Sequence, residues 1–540
     1  MFDYIHNIEG RLRPRARGPK AVTTDVIANA LIPFARAAIG ASLRNKPHHS
    51  WQGNLAGKAP RLVEAALYRN NGRRLPRALQ FVCCLAILPA IGMTAYAQQS
   101  TAPADTTAQQ APNAAPPADT ERWNLYYQAT SIGQYHGTFT SPYSDAFSLR
   151  NYPERDVSLT TTLFFGLRLS DLTTLYFDPE IAGGRGFSGV NGLANSSNGE
   201  LPRVETAEPK PYLARLYVSH DFSLGGGTEP TGSDENQLAG NRPSLRYTIA
   251  AGRFTLTDFF DDNRYTHDPR MQFIGWAAMY NGAWDYAADV RGYTWGWVHE
   301  LHLRNWSFRY ASAAMPKVAN GSQLDRRLFV NRGDVVEGER RYSLAKHDGA
   351  VRLLGYINHA DAGTYADAIR LARQNGGVPD ITATRRNGTM KYGIGISADQ
   401  EITKDIGVFL RLGWNDGKTE SFAFTAIDRL ATGGVSFNGA RWHRPGDNLA
   451  AELTVGGISG VHAAYLAMGG HDFLIGDGRL EYGPEYVAEM YYSARLFPGL
   501  FATFDLQHDA NPAYNQARGP LWIPSIRLHM EFSVARHTVH

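Results

Sequence analysis

The sequence predicts an all-β protein, a transmembrane antiparallel β-barrel of sixteen strands with long extracellular loops and short periplasmic turns. Three observations predict it. The first is the segment Trp522 to Phe532, WIPSIRLHMEF, which alternates strictly from Ser525 onward. Ile526, Leu528, Met530 and Phe532 share one face, while Ser525, Arg527, His529 and Glu531 share the other. Period 2 marks any half-buried strand. A charged face opposite an apolar face that ends in Phe is the pattern of a strand with lipid outside and water inside. The second observation is composition. Hydrophobic residues are 43% of the 540 and mean hydropathy is −0.34, whereas a helical membrane protein needs repeated apolar runs of about 20 residues. Aromatic residues, at 11%, are plentiful enough to form girdles at two membrane interfaces.

The third observation is the spacing of turn signals. From Arg122 on, seven connections read as periplasmic turns: Ser170-Asp171-Leu172, the longer stretch Gly225–Pro243, Leu303-Arg304-Asn305, Lys346-His347-Asp348-Gly349, Thr403-Lys404-Asp405, Arg444-Pro445-Gly446-Asp447 and Phe497-Pro498-Gly499. They join fourteen strands; Trp123–Ser131 before them and Ser525–Phe532 after them make sixteen. An even number returns both ends to the periplasmic side, and the intervening segments, long and rich in Gly, Asn, Asp and Pro, read as extracellular loops. Sixteen strands leave room for an aqueous channel. A TonB-dependent transporter would need a plug domain and more strands. The one helix expected is a short loop helix over Thr364–Gln374.

The N-terminal part reads differently. Arg73, Arg74 and Arg77 precede a mostly apolar stretch from Ala78 to Met93, and Ala95-Tyr96-Ala97 offers an A-x-A cleavage site. Residues 73–97 are thus expected to be a signal peptide. Residues 1–72 show no strong periodicity and read as an upstream extension, with the start of the protein assigned too early. Residues 98–121, mainly Ala, Pro, Thr and Gln, read as a disordered linker. The barrel is expected over 122–532, with 533–540 as a C-terminal extension. Both cysteines, Cys83 and Cys84, fall inside the apolar run of the leader, so no disulfide framework is expected.

Charge separates along the same boundary. Residues 1–97 hold 14 basic and 4 acidic residues, net +10, and the remainder holds 40 and 47, net −7. The overall excess of +3 therefore carries no case for nucleic acid. Catalytic motifs are missing: GFSGV at 186–190 and GISGV at 457–461 both break the G-x-S-x-G elbow. GIGISA at 393–398 lies within an alternating strand with no helix after it, so its glycines read as strand glycines. No cofactor is expected.

Several loop segments are more specific. LYFDPEIAGGRGFS (175–188), FTLTDFFDDNRYTHDPRMQFI (254–274), NGAWDYAADVRGYTW (281–295), DITATRR (380–386), LGWNDGKTESFAFT (412–425) and ANPAYNQARGP (510–520) together resemble the OprB-like carbohydrate-selective porin family, in order and over roughly 122–532. The resemblance implies an outer-membrane porin of a Gram-negative bacterium that passes neutral, glucose-type sugars by facilitated diffusion and performs no chemistry. One departure is that family members tend to end at the final aromatic, whereas SVARHTVH follows Phe532 here. The partners expected are a carbohydrate, outer-membrane lipid and the outer-membrane assembly machinery; both a monomer and a homo-oligomer are compatible. Two other readings are a barrel serving polysaccharide export, with the Pro-rich linker as tether, and a barrel enzyme, which would need a Ser–His–acid set that nothing in the sequence selects.

A sugar pore needs a constriction, aromatic faces for the C–H surface of the ring, and polar groups that exchange hydrogen bonds with hydroxyls, all binding weakly enough for release. The segment Thr255–Arg291 is the candidate inward loop, with Asp258, Asp261, Asp262, Asp268, Asp285, Arg264, Arg270, Trp276, Asn281 and Trp284 as candidate contacts. The plainer reading is a surface loop held by its own ion pairs. Glu180 and Arg185 in the preceding loop support both readings equally. Arg168, Arg215, Arg246, Arg253 and Arg411 are expected to face the lumen, where Arg supplies rigid multiple donors; a high-GC genome accounts for the preference equally well. Six Lys after residue 97 argue against a phosphate-type anion pore. Asp258-x-x-Asp261-Asp262-Asn263 does not match the spacing of a calcium loop, and no metal is expected.

Overall fold

Side chains of the strands alternate between a mainly apolar outward phase and a mainly polar inward one, as a wall between lipid and water requires. In the computed structural model, which describes residues 119–201 and 208–539, sixteen strands close into one antiparallel barrel. The upstream extension, the signal peptide, both cysteines and nearly all of the linker lie outside the described residues. The barrel strands are β1 (Thr120–His136), β2 (Glu154–Ser170), β3 (Thr173–Gly183), β4 (Lys210–Ser223), β7 (Arg246–Phe254), β8 (Thr294–Leu303), β9 (Trp306–Ala314) and β10 (Arg332–Leu344). They continue with β11 (His347–Ala362), β12 (Arg386–Thr403), β13 (Ile406–Asn415), β14 (Arg429–Asn438), β15 (Asn448–Gly457), β16 (Glu485–Phe497), β17 (Leu500–Ala510) and β18 (Leu521–Val539). Each pairs with its sequence neighbour, β4 pairs with β7, and β1 with β18 closes the ring. Closure satisfies every strand edge, the condition for crossing a bilayer with β-structure.

β12 illustrates the wall. Ile394 is 56% exposed and Met390 49%, while Lys391, Ser397 and Asp399 on the alternate phase are at most 4% exposed. β18 follows the expected phase, with Ser525, Arg527 and His529 buried and Ile526 and Phe532 exposed. Exposed aromatics stand near both ends of the wall: Trp295 opens β8 on the long-loop side, and Trp306 opens β9 just after the turn at Arg304-Asn305. The expected C-terminal boundary moves. Residues 533–539 continue β18, which pairs with β1 as far as Val539 opposite Thr120. β1 accordingly begins inside the segment assigned to the linker.

One connection departs from a simple turn. Between β4 and β7 the chain forms a two-stranded hairpin, β5 (Thr228–Thr231) and β6 (Gly240–Pro243). The extracellular loops carry α1 (Trp276–Met279), α2 (Tyr365–Asn375) and α3 (Gly460–Ala467). α2 is the expected loop helix; Thr364 caps it by accepting from the Asp367 N–H. α3 went unexpected because GVHAAYLA follows strand glycines and shows no polar face.

The apolar core lies inside the barrel mouth. Phe254, Phe260, Trp276, Trp284, Phe422, Phe424, Tyr465, Leu474 and Tyr514 come from four of the long loops and the strand ends beside them, and pack on one another. Two of the strand glycines serve this packing: a Cβ at Gly395 or Gly413 would collide with the Asn281 side chain, so the wall is bare where the loop presses on it.

Candidate functional site

The loop 255–293, between β7 and β8, folds into the lumen and divides its own residues between two walls. Toward β10–β18 it is anchored. Arg411 of β13 donates to the Asp261 carboxylate (3.0 Å) and carbonyl (3.2 Å), to the Thr266 carbonyl (2.6 Å) and to the Ala278 carbonyl (2.6 Å). Asp285 accepts from the backbone N–H groups of Phe422, Ala423 and Phe424 and pairs with Lys391 Nζ at 3.0 Å. Asn281 donates to the Leu412 carbonyl, Glu489 accepts from the N–H groups of Ile274 and Gly275, and Arg527 donates to the Pro269 and Gln272 carbonyls. Trp284 is buried against Phe260 and Tyr286.

Toward β1–β4 the same loop borders a cavity of about 410 Å³. Arg270 spans it, donating to Glu180 (3.0 Å) and Thr162 (3.1 Å), to Gln128 (2.8 Å) and to Glu200 (3.2 Å). Arg215 grips Asp258 in a two-pronged pair at 2.6 and 2.7 Å and reaches Asp178 at 3.4 Å. Such forked pairs fix both orientation and charge. Burial opposes the charge on Arg270, but Glu200 and Glu180 outweigh it and hold the guanidinium well above its ordinary value. Burial lifts Glu200 above its ordinary value, with Arg270 partly offsetting it.

Aromatic faces complete the cavity. Tyr212 and Tyr293 stand 5.9 Å apart, Arg291 lies over the Tyr212 ring at 4.1 Å and Arg215 over Tyr293 at 5.4 Å. Trp276 stacks on Phe424 at 5.5 Å and donates its indole N–H to the Asn198 carbonyl. Burial raises the Tyr280 and Tyr286 phenols, which leaves them neutral hydrogen-bonding groups. Four lining side chains each hold one buried polar atom without a protein partner: Glu200 Oε2, Asn236 Oδ1, His267 Nδ1 and Arg291 Nη1. Below the cavity, the wall β8–β12 carries a ladder of buried pairs, Glu300–Arg309–Glu339–Arg352–Asp399, each 2.6 to 3.2 Å.

The thirteen expected residues thus separate. Glu180, Asp258, Asp268, Arg270 and Trp276 border the cavity. Asp261, Asn281, Trp284 and Asp285 belong to the anchored face instead. Arg264 approaches Asp399 and Glu401 of β12 at 3.6 and 3.7 Å, and Asp262 is exposed beside the charges of Arg352, Glu339 and Arg309. Arg185 is exposed away from the cavity; its N–H donates to Asp156. Arg253 does not face the lumen: it pairs with the exposed Trp295 on the outer phase of the wall, and its guanidinium reaches Asp289 and the Leu213 carbonyl. Arg168 and Arg246 are inward but serve the β5–β6 hairpin, through the Ala239 carbonyl and Glu229. Tyr212, Glu200, Arg291, Tyr293, Glu235 and Asn236 were missed. They lie on a strand face, at loop ends and in a presumed turn, where no local pattern marks them.

This geometry agrees with the family comparison. Residues 149–532 match the carbohydrate-selective porin, OprB family. The chain belongs to that family. It is therefore an outer-membrane porin, a channel rather than an enzyme. The fold is that of Pseudomonas putida OprB in its high-pH structure, similar at 15% identity and a TM-score of 0.58 over 77% of this chain and 94% of that one. The outer membrane channel DcaP of Acinetobacter baumannii is also similar, at 9% identity and a TM-score of 0.43 over 77% of this chain and 98% of that one. No curated protein matches the chain.

Proposed function

We propose that this OprB-family porin passes neutral, glucose-type carbohydrates by facilitated diffusion, through the cavity between the loop 255–293 and the wall β1–β4. The observation that carries the reading is the pairing of charges there. Arg215 with Asp258, and Arg270 with Glu180 and Glu200, are tightly paired, which mutes the field of a lining that has no excess of positive charge to concentrate an anion. The same groups still offer many donors and acceptors. Sugar hydroxyls can exchange water for the polar side chains that line the cavity, and Tyr212 and Tyr293 add aromatic surface to its wall. A volume of about 410 Å³ falls in the range of small-molecule sites. Exchange of weak bonds, not tight capture, suits passage.

Delivery to the outer membrane would use the signal peptide over 73–97, with cleavage after Ala97. N-terminal sequencing of the membrane-inserted protein would find Gln98 first; a start far from it removes that assignment. The transport reading is tested by single-channel conductance in planar bilayers with glucose and a like-sized anionic solute titrated in. Stable steps blocked by millimolar glucose and not by the anion are expected. A folded barrel that conducts but is blocked equally by both would overturn the preference for neutral sugar.

A further inference from the structure

The hairpin β5–β6 is placed where a simple turn would not reach. Its tip, residues 232–239, runs from the periplasmic end up the inner wall of β1–β3. Ser233 accepts from Asn124 and Tyr126, and Gln237 accepts from Asn124 through its carbonyl. Glu121 of β1 takes the Ala239 N–H and the Ser233 hydroxyl. At the deepest point Asn236 donates to Asp178 at 2.9 Å. Asp178 in turn meets Arg215, which holds Asp258 of the inward loop. A continuous polar chain, Asn236–Asp178–Arg215–Asp258, therefore joins an element entering from the periplasm to one entering from outside. Glu235 and Asn236 border the same cavity as Arg270.

The base of the hairpin opens on three successive glycines. Gly225, Gly226 and Gly227 follow one another with φ of 94°, 80° and 86°, backbone that favours glycine, and a Cβ at Gly225 or Gly227 would meet nothing within 4 Å. Beside this free run, two ion pairs clamp the base: Arg242 forks Asp221 at 2.8 and 2.9 Å, and Arg246 meets Glu229 at 2.7 Å.

We infer that this hairpin is the periplasmic floor of the sugar cavity, and that Glu235 and Asn236 at its tip set the size limit and the last polar contacts of a departing sugar. The inference rests on the transport reading above. Both side chains are half-buried on the cavity lining, so the tip supplies bulk and polar groups at the exit.

The test uses three proteins in planar bilayers and in liposome swelling with glucose, maltose and longer maltodextrins. The first is the native protein. The second lacks 228–243; Gly227 and Ser244 are already hydrogen-bonded at 3.1 Å, so their direct joining leaves a short turn between β4 and β7. The third is Glu235→Trp, which retains the hairpin and keeps the question open to measurement should the deletion fail to fold. The deletion is expected to raise conductance at least about two-fold and to admit maltodextrins that the native protein excludes. Glu235→Trp is expected to lower conductance and slow glucose entry. Conductance and size limit equal to the native values in the folded variants would overturn the inference while leaving the sugar pore intact. A native barrel that is closed but opens on deletion would instead overturn the sugar-pore reading and keep the hairpin as its floor. A barrel closed with and without the hairpin would overturn both.

Discussion

The two faces of the loop 255–293 are built from the same residue types and do different work. On the face toward β10–β18, Arg411, Glu489 and Arg527 of the wall bond to the loop's main chain, and Asp285 of the loop bonds to the main chain of its neighbour 422–424. On the face toward β1–β4, Asp258 and Arg270 bond to side chains of the wall. Main-chain bonds dictate the path of the loop; side-chain pairs leave that path alone and dress a water-filled gap. An Arg–Asp pair is therefore an anchor or a pore group according to what surrounds it, not according to its chemistry.

The largest expected effect falls on the anchored face. Arg411→Met removes a fully buried guanidinium and leaves the Asp261 carboxylate and three loop carbonyls without their donor. Breaking such a buried pair costs about 3–5 kcal/mol. Thermal unfolding in detergent should report it, and the released loop should make single-channel steps larger and noisier. Arg270→Met is the matched change on the cavity face. Cavity water can rehydrate Glu180 and Glu200, so the expected cost is about 1–3 kcal/mol, while two uncompensated carboxylates should turn a weakly selective channel toward cations. Reversal potentials in a salt gradient measure this. Equal destabilisation by the two substitutions, with no change in ion preference for Arg270→Met, would erase the distinction between the faces.

A smaller effect sharpens it. Tyr212→Leu removes the ring beneath Arg291 and the phenol that donates to Glu180. An aromatic face is worth about 0.5–1.5 kcal/mol beyond its area, so the sugar concentration giving half block should rise roughly two- to ten-fold. Unfolding temperature should move little. A substitution on the anchored face such as Asn281→Ala should do the opposite, lowering stability while leaving the block per open channel unchanged.

The barrel was legible because lipid and water impose period 2 on the strands and turn chemistry punctuates them; the six short turns and the phase of Ile526, Leu528 and Phe532 follow from that alone. The split of the loop was not. Asp258 and Asp261 are three residues apart in one polar segment, yet one faces Arg215 in the cavity and the other Arg411 in the wall. Only the docking of loop on wall separates them, and docking is a tertiary fact. Some signals were present and passed over. Arg253 is an odd number of residues from the inward Arg246, which already places it on the outer phase of a regular strand. Gly395 and Gly413 lack side chains where Asn281 presses in. Nineteen residues from Gly225 to Pro243 are too many for a tight turn, and their Gly-Gly-Gly opening marks a change of backbone direction.

The smallest effect concerns the third region that meets the cavity, the hairpin tip. Burial and a hydrogen bond shared with Asp234 push the Glu235 carboxyl up to about 9, with Glu531 of β18 adding negative charge nearby. A carboxyl raised in the seated hairpin above its ordinary value of about 4.3 binds its proton more strongly there than when the hairpin swings free. The seated state is then favoured most at acid pH, loses that advantage as pH rises through the interval, and loses no more above about 9. Conductance should therefore climb modestly as pH is raised across the interval, as Glu235 ionises beside Asp234 and the tip loosens. Asp234, Glu531, Glu121 and Tyr126 surround it, so the decisive comparison is with Glu235→Gln. That variant cannot ionise at position 235, and its conductance should stay flat where the native curve rises. Parallel curves would assign the rise to the other four groups and leave the seating of the hairpin independent of Glu235.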